Sequence, residues 1–392
     1  MRVTPIRTSA TGCRPALRVT ASAETRILFQ SRVKQAGWKA PREDLKGLHP
    51  IAREAWTSIH TIYSICFETP LLAAPWLADL ADESTVHLKC ETRQATGSFK
   101  ARGAAHKLFS LTDEELQRGV VAASTGNHAL AVLAAAKSAS AQRGGIPVPV
   151  RIYLPRTVSA AKVERLHELG ATLVTVGDDC VEAEAQARRD AAAERATYVS
   201  PYNDVQVAGG QGSIAVELLE QLPRGRLDTV FVPVGGGGLA AGIASVLKAA
   251  DPAIRVVGCQ PAASDVMRQS VAAGRVVEAD WRPTLSEGTV GGLEAGAITL
   301  EPCSRFVDEW VVVSEREIAN AVIDTVTHSG MQVEGATGVA VAAFQKLAPQ
   351  MHGRHCVIIA CGGNMSSSGM DAVYRVAGRA RPGEMPREPA AA

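Results

Sequence analysis

Four glycines in a row, Gly235 to Gly238, stand between the apolar run Thr229 to Val234 and a helical pattern that opens at Leu239. A glycine loop at such a junction lets successive backbone N–H groups close on an anion, and the helix start adds a favourable field. The loop reads as a phosphate site or as a bare tight turn. A P-loop is excluded because GxxxxGK[ST] is absent, and dinucleotide binding is weakened because no GxGxxG opens a first βαβ unit. A second segment, Gln94 to Gly103, places Lys100 behind Phe99 and small residues at a loop-to-helix junction. A lone lysine is ordinarily a solvated surface group. Partial burial at this junction would lower its pKa and free the amine for Schiff-base chemistry. In a third segment, Ala123 to Ala129, the hydroxyls of Ser124 and Thr125, Gly126 and the Asn127 amide cluster at a helix start suited to a carboxylate or phenolate oxygen. Read alone, Ser124 or Thr125 is a helix cap and His128 a packed residue.

The elements that position these segments follow from the hydrophobic pattern. From about residue 50 to 380, apolar β-rich runs alternate with longer helical patterns, the mark of βαβ units and a mostly parallel sheet. Strands are expected at Val121 to Ala123, Val150 to Leu154, Ala171 to Val176, Thr229 to Val234, Ile254 to Cys259 and Cys356 to Cys361. Their runs are apolar throughout, as in strands covered on both faces. Helices are expected at Thr157 to Leu169, Cys180 to Glu194, Gly212 to Gln221 and Gly238 to Ala250.

Composition bounds the partners. The 392 residues are 46% hydrophobic and 21% charged, which excludes wholesale disorder, collagen and coiled coil. A net charge of +1 gives no reason to expect nucleic acid or an anionic membrane, and no apolar run approaches the ~20 residues that cross a bilayer. Eight cysteines occur without a CxxC pair or zinc-ligand spacing, which fits a reducing, cytoplasmic setting. Residues 1–23 carry Arg2, Arg7, Arg14 and Arg18 and no acidic residue, the composition of an organelle transit peptide. An Ala/Arg/Pro bias shared with the tail favours a disordered extension instead.

Taken together, the segments resemble the pyridoxal-phosphate enzymes of fold type II, the tryptophan synthase β-subunit-like family, and within it the serine/threonine dehydratases and serine racemases. The pattern appears in order: TPL at Thr69 to Leu71, LKCE at Leu88 to Glu91, TGSFKARGA at Thr96 to Ala104, STGNHA at Ser124 to Ala129, GGQGS at Gly209 to Ser213, GGGGL at Gly235 to Leu239 and CGGN at Cys361 to Asn364. The resemblance implies an α/β fold of two open, twisted, mostly parallel sheets flanked by helices. A small domain (112–195) would be inserted in a large cofactor-binding domain (51–111 and 196–376), with an N-terminal extension over 1–50 and a loose tail over 377–392. It implies a small-molecule amino-acid substrate and a homodimer; separately, the short stretch after the last glycine-rich turn leads to the expectation of no appended effector domain.

Residue by residue, the resemblance implies that Lys100 forms the internal aldimine and removes the Cα proton, and that Phe99 packs beside the ring. Asn127 would meet the ring hydroxyl oxygen, and Gly235, Gly236, Gly237, Gly238 and Leu239 the phosphate. Cys361 would face the pyridine nitrogen; Gly288 and Glu334 would support the cofactor; the loop Ser124, Thr125, Gly126, Asn127 and His128 would take the substrate carboxylate. The implied reaction is deaminating dehydration of a β-hydroxy amino acid such as L-threonine or L-serine, with amino-acid racemisation as the alternative.

Three positions depart from the family pattern. Thr125, the second catalytic candidate, stands where racemases carry a serine that works opposite the lysine, and its hydroxyl is able to donate a proton there. Gln260 stands where metal-activated members have a glutamate, and Val266 falls at their aspartate position beside Asp265, so no divalent-metal site is expected. His128 follows Asn127 where cysteine-synthase-type enzymes have threonine. Glu287 and Glu294, near Gly288, read as structural or solvated residues. A nicotinamide-dependent oxidoreductase would account for an α/β chain with a glycine loop but leaves Thr96 to Gly103 without purpose.

Overall fold

The computed structural model describes residue 37, residues 45–178 and residues 180–381. Of the extension expected over 1–50, residues 1–36 and 38–44 lie outside the described residues, as do residues 382–392 of the tail expected over 377–392. In chain order the strands are β1 (Leu71–Ala73), β2 (Thr85–Cys90), β3 (Val120–Ala123), β4 (Val150–Leu154), β5 (Thr172–Thr175), β6 (Thr197–Tyr198), β7 (Thr229–Pro233), β8 (Arg255–Pro261), β9 (Glu309–Val313) and β10 (His355–Ala360). The helices that bear on the site are α1 (Pro50–Ser58), α2 (Lys100–Phe109), α3 (Asn127–Gln142), α4 (Cys180–Glu194), α5 (Val205–Gln221), α6 (Gly238–Ala250) and α7 (Gly335–Leu347).

The strands form two sheets, of six strands in the order β1-β2-β10-β7-β8-β9 and of four in the order β5-β4-β3-β6. Every pairing is parallel except that of the edge strand β1 with β2. The apolar runs of the central strands are explained by cover on both faces. On β7 and β10, Val230, Val232, Val357 and Ile359 pack with Trp56, Ile243 and Leu247, while Phe231 and Ile358 face Val322, Val339 and Phe344. The Phe231 and Phe344 rings meet edge to face at 5.4 Å. In the smaller sheet Ile152 and Leu154 of β4 meet residues of α3, and Tyr153 turns to Ala183, Ala187 and Ala191 of α4.

Two differences from the sequence expectation have physical causes. Helix α5 begins at Val205 rather than Gly212, because the Asp204 carboxylate caps it by accepting from the N–H groups of Gln206 and Val207. Its glycines allow close helix packing. A Cβ on Gly212 would lie 2.8 Å from both Ala55 Cβ and Gly242 O, and one on Gly210 would lie 2.7 Å from Arg102 O. Strand β2 alternates apolar with polar residues and does not read as a buried strand, yet Lys89 in it is buried beside a carboxylate. Among the described residues no helix is long and apolar enough to cross a membrane.

Candidate active site

The carboxyl ends of β2, β3, β7 and β10 all lead into segments singled out above, as expected of a site at the C-terminal edge of parallel sheets. Lys100 is the first residue of α2, with Phe99 at the cap. The turn before it needs Gly97, whose φ is +75°; a Cβ there would fall 2.5 Å from Asn364 Oδ1. Phe99 N–H donates to Cys361 O at 3.0 Å, tying this turn to the end of β10. The partly buried Lys100 Nζ donates to Pro201 O at 2.9 Å and lies 5.1 Å from the Phe99 ring centroid. Desolvation lowers its pKa to about 8, against the opposing pull of Cys361 and Glu334. The neutral, reactive amine therefore gains population as pH rises through about 8 rather than through the ordinary lysine range. Labelling of Lys100 in the cofactor-free protein by trinitrobenzenesulfonate, followed by peptide mapping, is expected to show a rate midpoint there. A midpoint above pH 10 would contradict it.

Helix α2 is anchored by a buried ionic network that sequence reading missed. Arg102 Nε and Nη2 donate to the two Glu91 oxygens at 2.7 and 2.8 Å, and its Nη1 and Nη2 donate to those of Glu217 at 2.6 and 2.9 Å. Lys89 Nζ donates to Glu217 Oε2 at 2.6 Å and Thr69 Oγ1 to Glu91 Oε1 at 2.6 Å. All five side chains are buried. Burial alone would raise the Glu217 carboxyl; Arg102 and Lys89 outweigh it and hold the pKa down at about 2. The available signal was charge set inside otherwise apolar motifs, at Lys89, Glu91 and Arg102.

The glycine loop is built as an anion cradle. Its Gly236 and Gly237 carbonyls accept from Thr299 Oγ1 (2.7 Å) and Cys303 Sγ (3.8 Å), while the N–H groups of Gly235 to Leu239 donate to no protein acceptor among the described residues. Gly237 is left-handed, at φ +85°. A Cβ on Gly236 would penetrate the Tyr202 ring at 2.4 Å, and one on Gly235 would meet Thr289 Cα at 2.9 Å. Gly288, just before Thr289, is exposed, and a Cβ on it would lie 3.7 Å from Ala336 Cβ. Gln260 supports the loop from behind: its Nε2 donates to Val234 O at 3.2 Å and its Oε1 accepts from Arg268 N–H. Asp265 pairs with Arg268, and Val266 is buried in the core.

Beside Lys100, the segment after β3 turns into α3. Ser124 Oγ accepts from Gly126 N–H at 3.2 Å, and the N–H groups of Thr125, Asn127 and His128 have no acceptor among the described residues. Asn127 Nδ2 donates to both Glu334 oxygens at 2.9 Å, and Asn127 Oδ1 accepts from Asn364 Nδ2 at 2.7 Å. Burial raises the Glu334 pKa, and the hydrogen bonds from Asn127 and from Asn364 N–H partly offset that rise. His128 is buried and donates through Nε2 to Val199 O at 2.7 Å, so its partnerless Nδ1 is the bare lone pair. Desolvation, then the Lys100 charge, depresses its pKa to about 3, which keeps it neutral. Burial pushes the Cys361 thiol up to about 12, so this group too is neutral; its Sγ lies 3.7 Å from Thr337 Oγ1.

Lys100, Phe99, Asn127, Glu334 and Cys361 therefore meet at one place, with the glycine loop joined to it through the 199–202 segment. Glu294 is instead paired with Arg188 of α4 and accepts from Asn203 Nδ2 at 2.8 Å, and the exposed Glu287 lies 3.3 Å from Lys162 Nζ. A planar, polar, anionic cofactor fits what is unsatisfied here: the N–H cradle, the buried Ser98 hydroxyl and His128 Nδ1 without partners, and a neutral thiol beside a primary amine.

A family model described as pyridoxal-phosphate dependent enzyme matches residues 62–362. This chain belongs to the pyridoxal-phosphate dependent enzymes. Its fold is that of the fold type II branch, and the chain is 36% identical over 314 residues to an L-threonine ammonia-lyase of Thermotoga maritima, covering 80% of this chain and 75% of that one. It is 33% identical over 303 residues to a serine racemase of Oryza sativa subsp. indica, covering 76% and 86%. Among solved structures, the processed form of threonine deaminase isoform 2 from Solanum lycopersicum superposes with a TM-score of 0.76 at 30% identity, covering 84% of this chain and 93% of that one.

Proposed function

We propose that this chain is a pyridoxal-phosphate dependent ammonia-lyase that converts a β-hydroxy amino acid such as L-threonine or L-serine to a 2-oxo acid and ammonia. The observation that carries the reading is the partly desolvated Lys100 amine held beside Phe99, Cys361 and Glu334 at the edge of an unpaired N–H cradle. Bound pyridoxal phosphate supplies an electron sink conjugated with the substrate Cα. Gly235 to Leu239 would hold the phosphate through their N–H groups, with Gly288 beside the loop. Asn127 and Glu334 would hold the ring, and Cys361, a neutral thiol, would be the partner offered to its nitrogen, one that does not keep that nitrogen protonated.

The N–H groups of Ser124 to His128 orient the substrate carboxylate at the α3 start. Lys100 Nζ takes the Cα proton, and the carbonyl of Pro201 holds the resulting ammonium. Loss of the β-hydroxyl as water and hydrolysis of the remaining C–N bond then give the 2-oxo acid and ammonium. Racemisation is the second reading. It is favoured by one observation: the partly buried Thr125 places a hydroxyl, without a hydrogen-bond partner among the described residues, in the substrate loop.

The two-domain reading takes the four-stranded sheet, residues 120–198, as the core of the inserted small domain. A cytoplasmic setting is supported by the absence of disulfides among the described cysteines, and a homodimer by family membership. No divalent metal is assigned, because Gln260 and Asp265 are committed to other partners. The test is a coupled assay of ammonia release from L-threonine and L-serine before and after treatment with a chelator. Release that survives the chelator is expected; release that collapses and returns with magnesium would overturn the metal-free assignment.

A further inference from the structure

The Asn127 amide is held by two neighbours from distant parts of the chain. Asn364, at the end of the glycine turn after β10, donates through Nδ2 to Thr96 O at 2.8 Å and to Asn127 Oδ1 at 2.7 Å. Its N–H donates to Glu334 Oε1 at 2.8 Å. A backbone carbonyl only accepts, so Thr96 O fixes which end of the Asn364 amide is NH₂. That NH₂ also faces Asn127, which must therefore present its oxygen there. The Asn127 NH₂ is then turned to Glu334, whose two carboxyl oxygens lie 2.9 Å from it. The contacts of Asn364 with Thr96 and Asn127 fix that orientation, and the packing leaves no slack. A Cβ on Gly97 would lie 2.5 Å from Asn364 Oδ1, and one on Gly362 would lie 2.8 Å from Glu334 Oε2.

We propose that Asn364 is a positioning residue for the cofactor ring. It forces Asn127 to offer N–H rather than C=O to the oxygen on that ring, and through Thr96 it ties the turn before Lys100 to the start of α3. The inference rests on the functional reading that places the ring beside Asn127. Its own content is that Asn127 contributes little to cofactor binding unless Asn364 orients it. Glu334 alone does not set this, because a carboxylate that takes up a proton accepts and donates, and burial favours that proton.

The test uses the full chain and four proteins: wild type, Asn127→Ala, Asn364→Asp and the double variant. Aspartate keeps the size of asparagine and, when ionised, cannot donate, so the titrations are run well above the carboxylate range. Dissociation constants for pyridoxal phosphate are measured by fluorescence titration, with the absorption spectrum of each loaded protein and the unfolding midpoint of each cofactor-free protein. Asn364→Asp is expected to weaken binding about tenfold and to move the absorption maximum, with the cofactor-free midpoint close to that of wild type. The double variant is expected to bind within about twofold of Asn127→Ala, since the second substitution acts only through the first residue. Wild-type affinity and spectrum in Asn364→Asp, or losses that multiply in the double variant, would overturn the inference. Wild-type affinity in Asn127→Ala would instead remove the ring from Asn127, and the functional reading would fail with it.

Discussion

Replacing Lys100 with alanine lowers 2-oxo acid release by about 10⁴-fold or more while leaving the folded state intact. The magnitude follows from the double duty assigned to one amine, attachment of the cofactor and transfer of the Cα proton, since removal of a general base alone costs about 10²–10⁴-fold. The folded state survives because the Lys100 ammonium has lost part of its hydration, as its depressed pKa records, and its polar contact is a single bond to the Pro201 carbonyl. Removing such a group relieves a desolvation cost. The measurement is ammonia release beside the thermal unfolding midpoint of the same preparation. A variant that keeps more than about a hundredth of the wild-type rate would show that another group carries the proton.

Replacing Arg102 with alanine is expected to act in the opposite way, on the fold before the chemistry. The guanidinium forks onto both Glu91 and Glu217, and all three side chains are buried. Without it two carboxylates face one ammonium, that of Lys89, in a site sealed from water. Loss of one partner from a buried ion pair costs about 3–5 kcal/mol, a large share of the stability of a domain. Urea unfolding reads the loss directly, and a change below about 1 kcal/mol would mean that water reaches the network. The sign of the pH dependence follows from Glu217. Its folded pKa of about 2 lies below the ordinary 4.5, so its contribution is complete above about pH 4.5 and is lost as pH falls towards 2. Arginine to lysine would restore the charge without the fork and recover only part of the loss.

What was legible in the sequence was chemistry confined to short contiguous segments. The glycine loop, the turn before Lys100 and the start of α3 each need special residue types over a few positions, so each leaves a local signature. Strands such as Val150–Leu154 and helices such as Cys180–Glu194 and Gly238–Ala250 were legible for a similar reason, since their patterns are uninterrupted. Features that depend on distant partners were not. The glycines of α5 look like a loop until Ala55, Arg102 and Gly242 are seen packed against them. Lys89 hides β2 because a lysine in a strand reads as solvent-facing, and its partner Glu217 lies 128 residues away. Strand β9, Glu309–Val313, was missed although it pairs in parallel with β8. The Asn127 to Asn364 contact spans 237 residues, and no local pattern in either segment announces it.

The fate of L-serine incubated with the cofactor-loaded enzyme, followed by proton NMR together with chiral chromatography of the remaining amino acid, separates elimination from racemisation. Pyruvate and ammonium are expected in equal amounts, with the unreacted serine still in the L form. Accumulation of D-serine without ammonium would contradict this and would make Thr125, rather than loss of the β-hydroxyl, the centre of the chemistry.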